Sequence, residues 1–174
     1  MTATVITAKD TAVKSNMSDK TEKAKELFKS GFNCSQSVLG VLCEESGLDF
    51  NTAMKLSSSF GGGMGRMREV CGAVSAMFMA SGLAFSSGDN SPESKAEQYK
   101  IVQELAKRFK DKNGSIICRE LLNGIENSTS YTPSTRDENY YKKRPCLKLV
   151  CDSVEIFEEF KKANFPQADR KNIK

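Results

Sequence analysis

The run from Val70 to Phe85 constrains this chain more than any other segment. It is apolar on nearly every side and rich in small residues, yet shorter than the ~18 apolar residues that cross a bilayer. Such a stretch has to be the buried central helix of a bundle, with the other elements wrapped around it. A chain of 174 residues is long enough to enclose it in one core.

The flanking segments supply that wrapping. Ala24, Leu27 and Phe28 follow helical spacing and Gly31 ends the segment, which predicts helix one over about 19 to 30. Asn33 is an N-cap for a second helix carrying Val38, Leu39, Val41 and Leu42, closed by Gly47. Asn51 to Phe60 reads as a third helix, and Gly61-Gly62-Gly63-Met64-Gly65 as a loop, because each glycine costs a helix close to ~1 kcal/mol. Ser91-Pro92-Glu93 starts a helix that runs to Asn113-Gly114, and Ser115 caps the next, which passes Leu121 and Leu122 and ends at Gly124. Glu126 to Asn139 reads as a polar loop, and a last helix begins near Pro145 and carries Leu149, Val150, Val154, Phe157 and Phe160. Six to seven helices without strand alternation give an all-α, single-domain helical bundle over residues 19–165. Residues 1–18 and 166–174 read as tails.

Composition then narrows the chemistry. The chain has no histidine, which removes Ser-His and Cys-His catalysis, histidine-held haem or zinc and the Glu-x-x-His di-iron bundles. A formal charge of +4 spread along the chain gives no electrostatic footprint for nucleic acid or anionic lipid. The first twenty residues lack the apolar stretch of a signal peptide, so the expected location is cytoplasmic, without membrane attachment. Six cysteines in a reducing compartment are better suited to catalysis, redox cycling or metal binding than to a permanent disulfide framework.

No two cysteines have C-x-x-C spacing, which excludes zinc ribbons and thioredoxin-type motifs. Their relation to helix starts is more informative. Cys34 follows Asn33, Cys71 opens the central helix, Cys118 lies three residues past Ser115 and Cys146 follows Pro145. A helix N-terminus favours thiolate over thiol, and Arg68, Arg119 and Arg144 lie near in sequence, so depressed thiol pKa values are expected at these four. Cys71 is the expected first nucleophile because the glycine loop should leave it accessible. Cys43 and Cys151 fall inside helices and read as small apolar fillers.

The glycine loop fits neither G-x-G-x-x-G nor a P-loop. It is either a pliable loop whose N–H groups face an anion, a cluster or a thiolate, or a tight helix-to-helix turn. Met64, Met67, Met77 and Met79 read as core packing, and Lys142-Lys143-Arg144 as a solvated basic run.

The stretch Ser59-Phe60-Gly61-Gly62-Gly63-Met64-Gly65-Arg66-Met67-Arg68-Glu69-Val70-Cys71-Gly72-Ala73-Val74-Ser75-Ala76 resembles the C-GCAxxG-C-C family of redox-active proteins. Asn33-Cys34-Ser35-Gln36 before it and Cys118 and Cys146 after it belong to the likeness, which spans about residues 20 to 160. The resemblance implies a bacterial or archaeal source and a redox role, and carries the family's four cysteines onto Cys34, Cys71, Cys118 and Cys146. The motif's last glycine is Ala76 here. The expected site therefore comprises these four thiols for thiol–disulfide electron transfer, with Gly61, Gly62, Gly63, Gly65 and Gly72 as its cofactor-facing backbone. An alternative is a metal centre in which the same thiolates hold zinc or an iron–sulfur cluster. A third reading is a purely structural helical protein. The redox partner would be a protein or a small thiol.

Overall fold

The computed structural model describes residues 8–126 and 128–166. Among them are eight α-helices: α1 (Ala8–Lys29), α2 (Cys34–Leu42), α3 (Phe50–Ser57), α4 (Gly72–Phe85), α5 (Pro92–Asn113), α6 (Cys118–Leu122), α7 (Glu138–Lys143) and α8 (Cys146–Asn164). Short 3-10 turns follow α2 and α3, and no strand occurs among the described residues. The all-α reading holds.

Helix α4 is the centre of the bundle, as its composition requires. Ala73, Val74, Ala76, Met77 and Ala80 have no exposed surface, and the helix packs against α2, α5 and α8. Small residues on all sides let those three helices come close at once. Ala76, in the place of the motif's final glycine, is fully buried, so a methyl group fits there. Helix α1 closes the bundle against α2 and α8. Phe28, Leu39, Leu105, Phe109, Val150, Val154 and Phe157 fill the space between, each worth roughly 1.5–3 kcal/mol of burial.

Local chemistry sets most helix ends. Asn33 and Gln36 form a reciprocal capping box on α2, with the Gln36 N–H donating to Asn33 Oδ1 at 2.9 Å and the Asn33 N–H to Gln36 Oε1 at 3.1 Å. Ser91 caps α5 ahead of Pro92, and Gly114 ends it at φ 88°.

Several boundaries differ from expectation. Helix α1 starts at Ala8 rather than near residue 19, since residues 8–18 contain no glycine or proline to stop it. The remaining tail residues 1–7 and 167–174 lie outside the described residues. Helix α3 begins at Phe50 because Asp49 is its N-cap, accepting from the Thr52 N–H at 3.0 Å. The N-cap of α6 is Ile117, while Ser115 holds the approach by accepting from the Ile117 N–H at 2.9 Å. The expected loop over 126–139 ends two residues early, at Asp137, which caps α7 by accepting from the Tyr140 N–H at 2.8 Å. Met67 is exposed, unlike Met77, because it lies in the loop rather than on α4.

Two glycines of α4 test how tightly the helix is held. A Cβ on Gly72 would stand 2.5 Å from the Phe60 carbonyl oxygen and 2.7 Å from Cys34 Sγ, whereas one on Gly82 would meet nothing within 4 Å. Gly72→Ala is expected to destabilise the fold by about 1–3 kcal/mol through overpacking. Gly82→Ala is expected to stabilise it by up to about 1 kcal/mol through helix propensity. Urea denaturation of the two variants checks the pair, and equal effects would contradict the packing described.

A candidate thiol site at four helix starts

All four motif cysteines stand where helices begin. Cys34, Cys118 and Cys146 are the first residues of α2, α6 and α8, and Cys71 is the N-cap of α4. The four line one cavity of about 60 Å³, together with Phe28, Asn33, Gly62, Arg68, Leu121, Leu122, Arg136, Tyr140, Arg144 and Leu149. Cys43 and Cys151 are buried elsewhere. The Cys43 thiol lies 3.6 Å from the Gly40 carbonyl oxygen, the Cys151 thiol is near Lys25, and neither lines the cavity.

The glycine loop brings the distant thiols together. Gly62, Gly63, Met64, Gly65 and Arg66 all have φ between 58° and 72°, and Arg68 has φ 63°. A left-handed residue with a side chain costs roughly 1–2 kcal/mol, so Met64, Arg66 and Arg68 hold this shape only because bonds around them enforce it. The Arg66, Arg68 and Glu69 N–H groups donate to the carbonyls of Gly61, Gly62 and Gly63 at 3.1, 3.3 and 3.2 Å. Coiled in this way, the chain leaves the loop antiparallel to residues 116–119. The Cys71 N–H donates to the Ile116 carbonyl at 2.8 Å, the Cys118 N–H to the Glu69 carbonyl at 2.6 Å and the Arg119 N–H to the Arg68 carbonyl at 3.2 Å. These bonds fix Cys71 beside Cys118.

The five glycines singled out in the sequence divide by role. Gly62 lines the cavity. Gly61 lies against the Asn33 side chain, and Gly63 lies so close to Cys118 that an added Cβ would fall 2.6 Å from the cysteine Cβ. Gly72 has the same relation to Cys34 Sγ, and Gly65 is an exposed part of the loop. Three of the five therefore have a packing reason to be bare: they let cysteine-bearing elements close up.

Electrostatics reverses one expectation. Burial pushes the Cys71 thiol well above its ordinary value, although the Ala73 N–H at the start of α4 works in the opposite direction. Cys71 is 5% exposed and cannot be the accessible first nucleophile. The Cys146 thiol is pushed up to about 12, mainly by burial and then by charge on Cys34. Burial also raises Cys118, against the pull of Arg68 and Arg144. Loss of solvent outweighs helix termini and arginines at these three positions. Among the other thiols, Cys34 is the neighbour that most opposes ionisation at each of them, and its own side chain is half-buried.

The arginines are arranged differently from their sequence order. Arg119 turns away from Cys118 and pairs with Glu69 at 2.6 Å on the surface. Arg68 stands beside Cys118, is 3% exposed, and donates from Nε to the Ser128 carbonyl at 3.0 Å. Arg144, read as part of a solvated run, is instead part-buried against Glu126 at 2.7 Å and lies over the Tyr140 ring. Arg136 donates from Nη1 to the Phe28 and Phe32 carbonyls at 2.6 and 2.9 Å and lies over the Phe28 ring. Arg136 and Tyr140 carried no local sequence signal. Only the fold returns residues 128–140 to the thiols.

Among the described residues, no three Cys, Asp or Glu side chains are grouped so as to hold a metal ion.

Raised thiol pKa values tie stability to pH. The folded state keeps the Cys146 proton up to about 12, while the unfolded chain releases it near ~8.5, so this contribution is complete below ~8.5 and is lost as pH rises. The urea midpoint of the reduced protein is expected to fall between pH ~8 and ~10.5, with a smaller fall in Cys146→Ser. Identical profiles for the two proteins would contradict the burial of that thiol.

The family pattern described as "Putative redox-active protein (C_GCAxxG_C_C)" matches residues 32–160. No curated protein and no solved structure matches the chain. The matched span starts just ahead of Cys34 and takes in all four helix-start thiols and the loop that joins them, so the chain belongs to the C_GCAxxG_C_C family of redox-active proteins.

Proposed function

We propose that this protein transfers electrons by thiol–disulfide exchange, with Cys34 as the thiol that meets the substrate and forms the internal disulfide. The observation that carries this reading is the position of Cys34 among the thiols. Cys34 and Cys146 are the two half-buried thiols of the cavity, and Cys34 is the strongest thiol neighbour of Cys71, Cys118 and Cys146 alike.

In the reducing direction, Cys34 gives its proton to solvent and its thiolate attacks one sulfur of a substrate disulfide. A mixed disulfide forms and the other substrate sulfur leaves as a thiolate. A second pocket thiol then loses its proton and attacks Cys34 Sγ, which closes an internal disulfide and releases the rest of the substrate as a thiolate. The substrate gains two electrons, and the protein gives up two electrons and two protons. Cys118 is the resolving thiol in this scheme: Arg68 and Arg144 favour a thiolate at both Cys118 and Cys146, but Arg68 stands directly beside Cys118. Cys71 and Cys146, which burial holds in the thiol form, are kept in reserve. A partner protein dithiol or a small thiol would reset the cycle.

The proposed setting is the cytoplasm, where such thiols stay reduced between cycles. Among the described residues no helix is long and apolar enough to cross a membrane.

Oxidation of the reduced protein with diamide is expected to remove two alkylatable thiols and leave Cys34 in an internal disulfide, read by mass-resolved alkylation and peptide mapping. Cys34→Ser should abolish that disulfide. Cys43→Ala and Cys151→Ala should form it normally. An unchanged disulfide yield in Cys34→Ser would overturn the assignment.

A further inference from the structure

We infer that the thiol cavity holds an oxyanionic group of a small substrate on the Arg68 guanidinium. The Nη2 of Arg68 is buried and has no hydrogen-bond partner, although the side chain is 3% exposed and lines the cavity. Its Nε is held by the Ser128 carbonyl, but a buried guanidinium nitrogen without an acceptor is costly, so the free Nη2 fits an acceptor that arrives from outside.

The surrounding charge points to a negative acceptor. Arg68, Arg136 and Arg144 all line the cavity, and no carboxylate lines it among the described residues. Two of these arginines are already engaged. Arg136 is bound to the backbone carbonyls of Phe28 and Phe32, and Arg144 to Glu126. Their positive charge adds to the field in the cavity while Arg68 offers the free donor, and an N–H of a buried guanidinium binds an oxyanion more strongly than it binds a neutral oxygen. Cys71 and Cys146, which burial keeps neutral, do not compete for that charge, and Cys118, the thiol beside Arg68, competes for it only as a thiolate, which its burial disfavours.

Size sets the other limit. A cavity of about 60 Å³ takes a group of a few heavy atoms, such as a carboxylate or a tetrahedral oxyanion, and excludes the body of a folded protein. The substrate is therefore a small anionic molecule, or a small molecule with an anionic end, held beside Cys118. The inference rests on the thiol redox reading for its purpose, but its test measures binding alone.

Inorganic sulfate and acetate, which thiols do not reduce under these conditions, are the probes. Each is titrated calorimetrically at low millimolar concentration into the fully reduced protein, with chloride at equal ionic strength as reference. Saturable binding of sulfate or acetate above chloride is expected, together with slower alkylation of Cys34 by iodoacetamide. Stronger sulfate binding marks a free tetrahedral oxyanion as the ligand, and stronger acetate binding marks the carboxylate of an organic one. Arg68→Gln should weaken binding about ten-fold or more, the loss of one charged hydrogen bond. Arg119→Gln, at an exposed arginine, should leave binding unchanged. Cys34→Ser should still bind the anion while forming no internal disulfide, so failure of the redox reading and failure of this one can be told apart. Absence of saturable binding to the unmodified protein overturns the inference without reference to any variant. Equal binding in Arg68→Gln, or equal loss in Arg119→Gln, overturns it as well.

Discussion

The arrangement of the site depends on a few backbone hydrogen bonds between residues 68–71 and 116–119. The Cys71 N–H reaches the Ile116 carbonyl and the Cys118 N–H reaches the Glu69 carbonyl, so two thiols far apart in sequence are set by main-chain geometry rather than by packing of their own side chains. The left-handed coil before them makes this possible. An ordinary right-handed turn would send the chain along another path and leave the start of α4 without its antiparallel neighbour. The strain of Met64, Arg66 and Arg68 is tolerated because these bonds and the loop carbonyls enforce it. Arg68 shows why the conformation matters, since the same residue that lies in the left-handed region carries the guanidinium into the cavity.

Two opposing effects act on every thiol in that cavity. Helix starts and arginines favour the thiolate, and burial disfavours it. Burial prevails at Cys71, Cys118 and Cys146, which leaves a set of protonated thiols in an electropositive, poorly solvated space. Charge on one sulfur raises the cost of charge on the next. This suits sequential exchange chemistry, in which one thiolate attacks and a second is formed only after the first has become a disulfide.

Much of the framework was legible in the residues. The Val70–Phe85 run required a buried centre, and α4 is that centre; Asn33, Ser91 with Pro92, and Pro145 marked helix starts that the structure contains. The grouping of Cys34, Cys71, Cys118 and Cys146 at helix starts followed from the same local signals. What the residues did not indicate was the depth of the site thiols and the direction of the arginines around them. Nothing in the neighbourhood of Cys71 indicates that it lies under the loop, so its accessibility and its acidity were both misjudged. The arginines failed for a related reason. Arg119 is adjacent to Cys118 in sequence but points to Glu69, while Arg68 reaches Cys118 across the backbone ladder. Sequence adjacency to a helix start does not determine which way a long side chain turns.

The segment from Ser128 to Asp137 crosses the arginine side of the cavity, and the way it is held has a consequence for what can change there. Arg68 binds the carbonyl of Ser128, and Arg66 binds the carbonyl of Ser130 at 2.5 Å. Every residue type presents the same carbonyl. The identities of the serines at 128 and 130 therefore contribute nothing to these two bonds; their hydroxyls act instead within the segment, accepting from the Ser130 and Thr132 N–H groups at 3.2 and 3.3 Å. The arginines have no such freedom, because a lysine lacks the planar fork that reaches a carbonyl with one nitrogen and leaves another pointing inward. Specificity at these two bonds is thus one-sided: the clamp is chemically demanding, and the carbonyls it grips are ones that any residue offers.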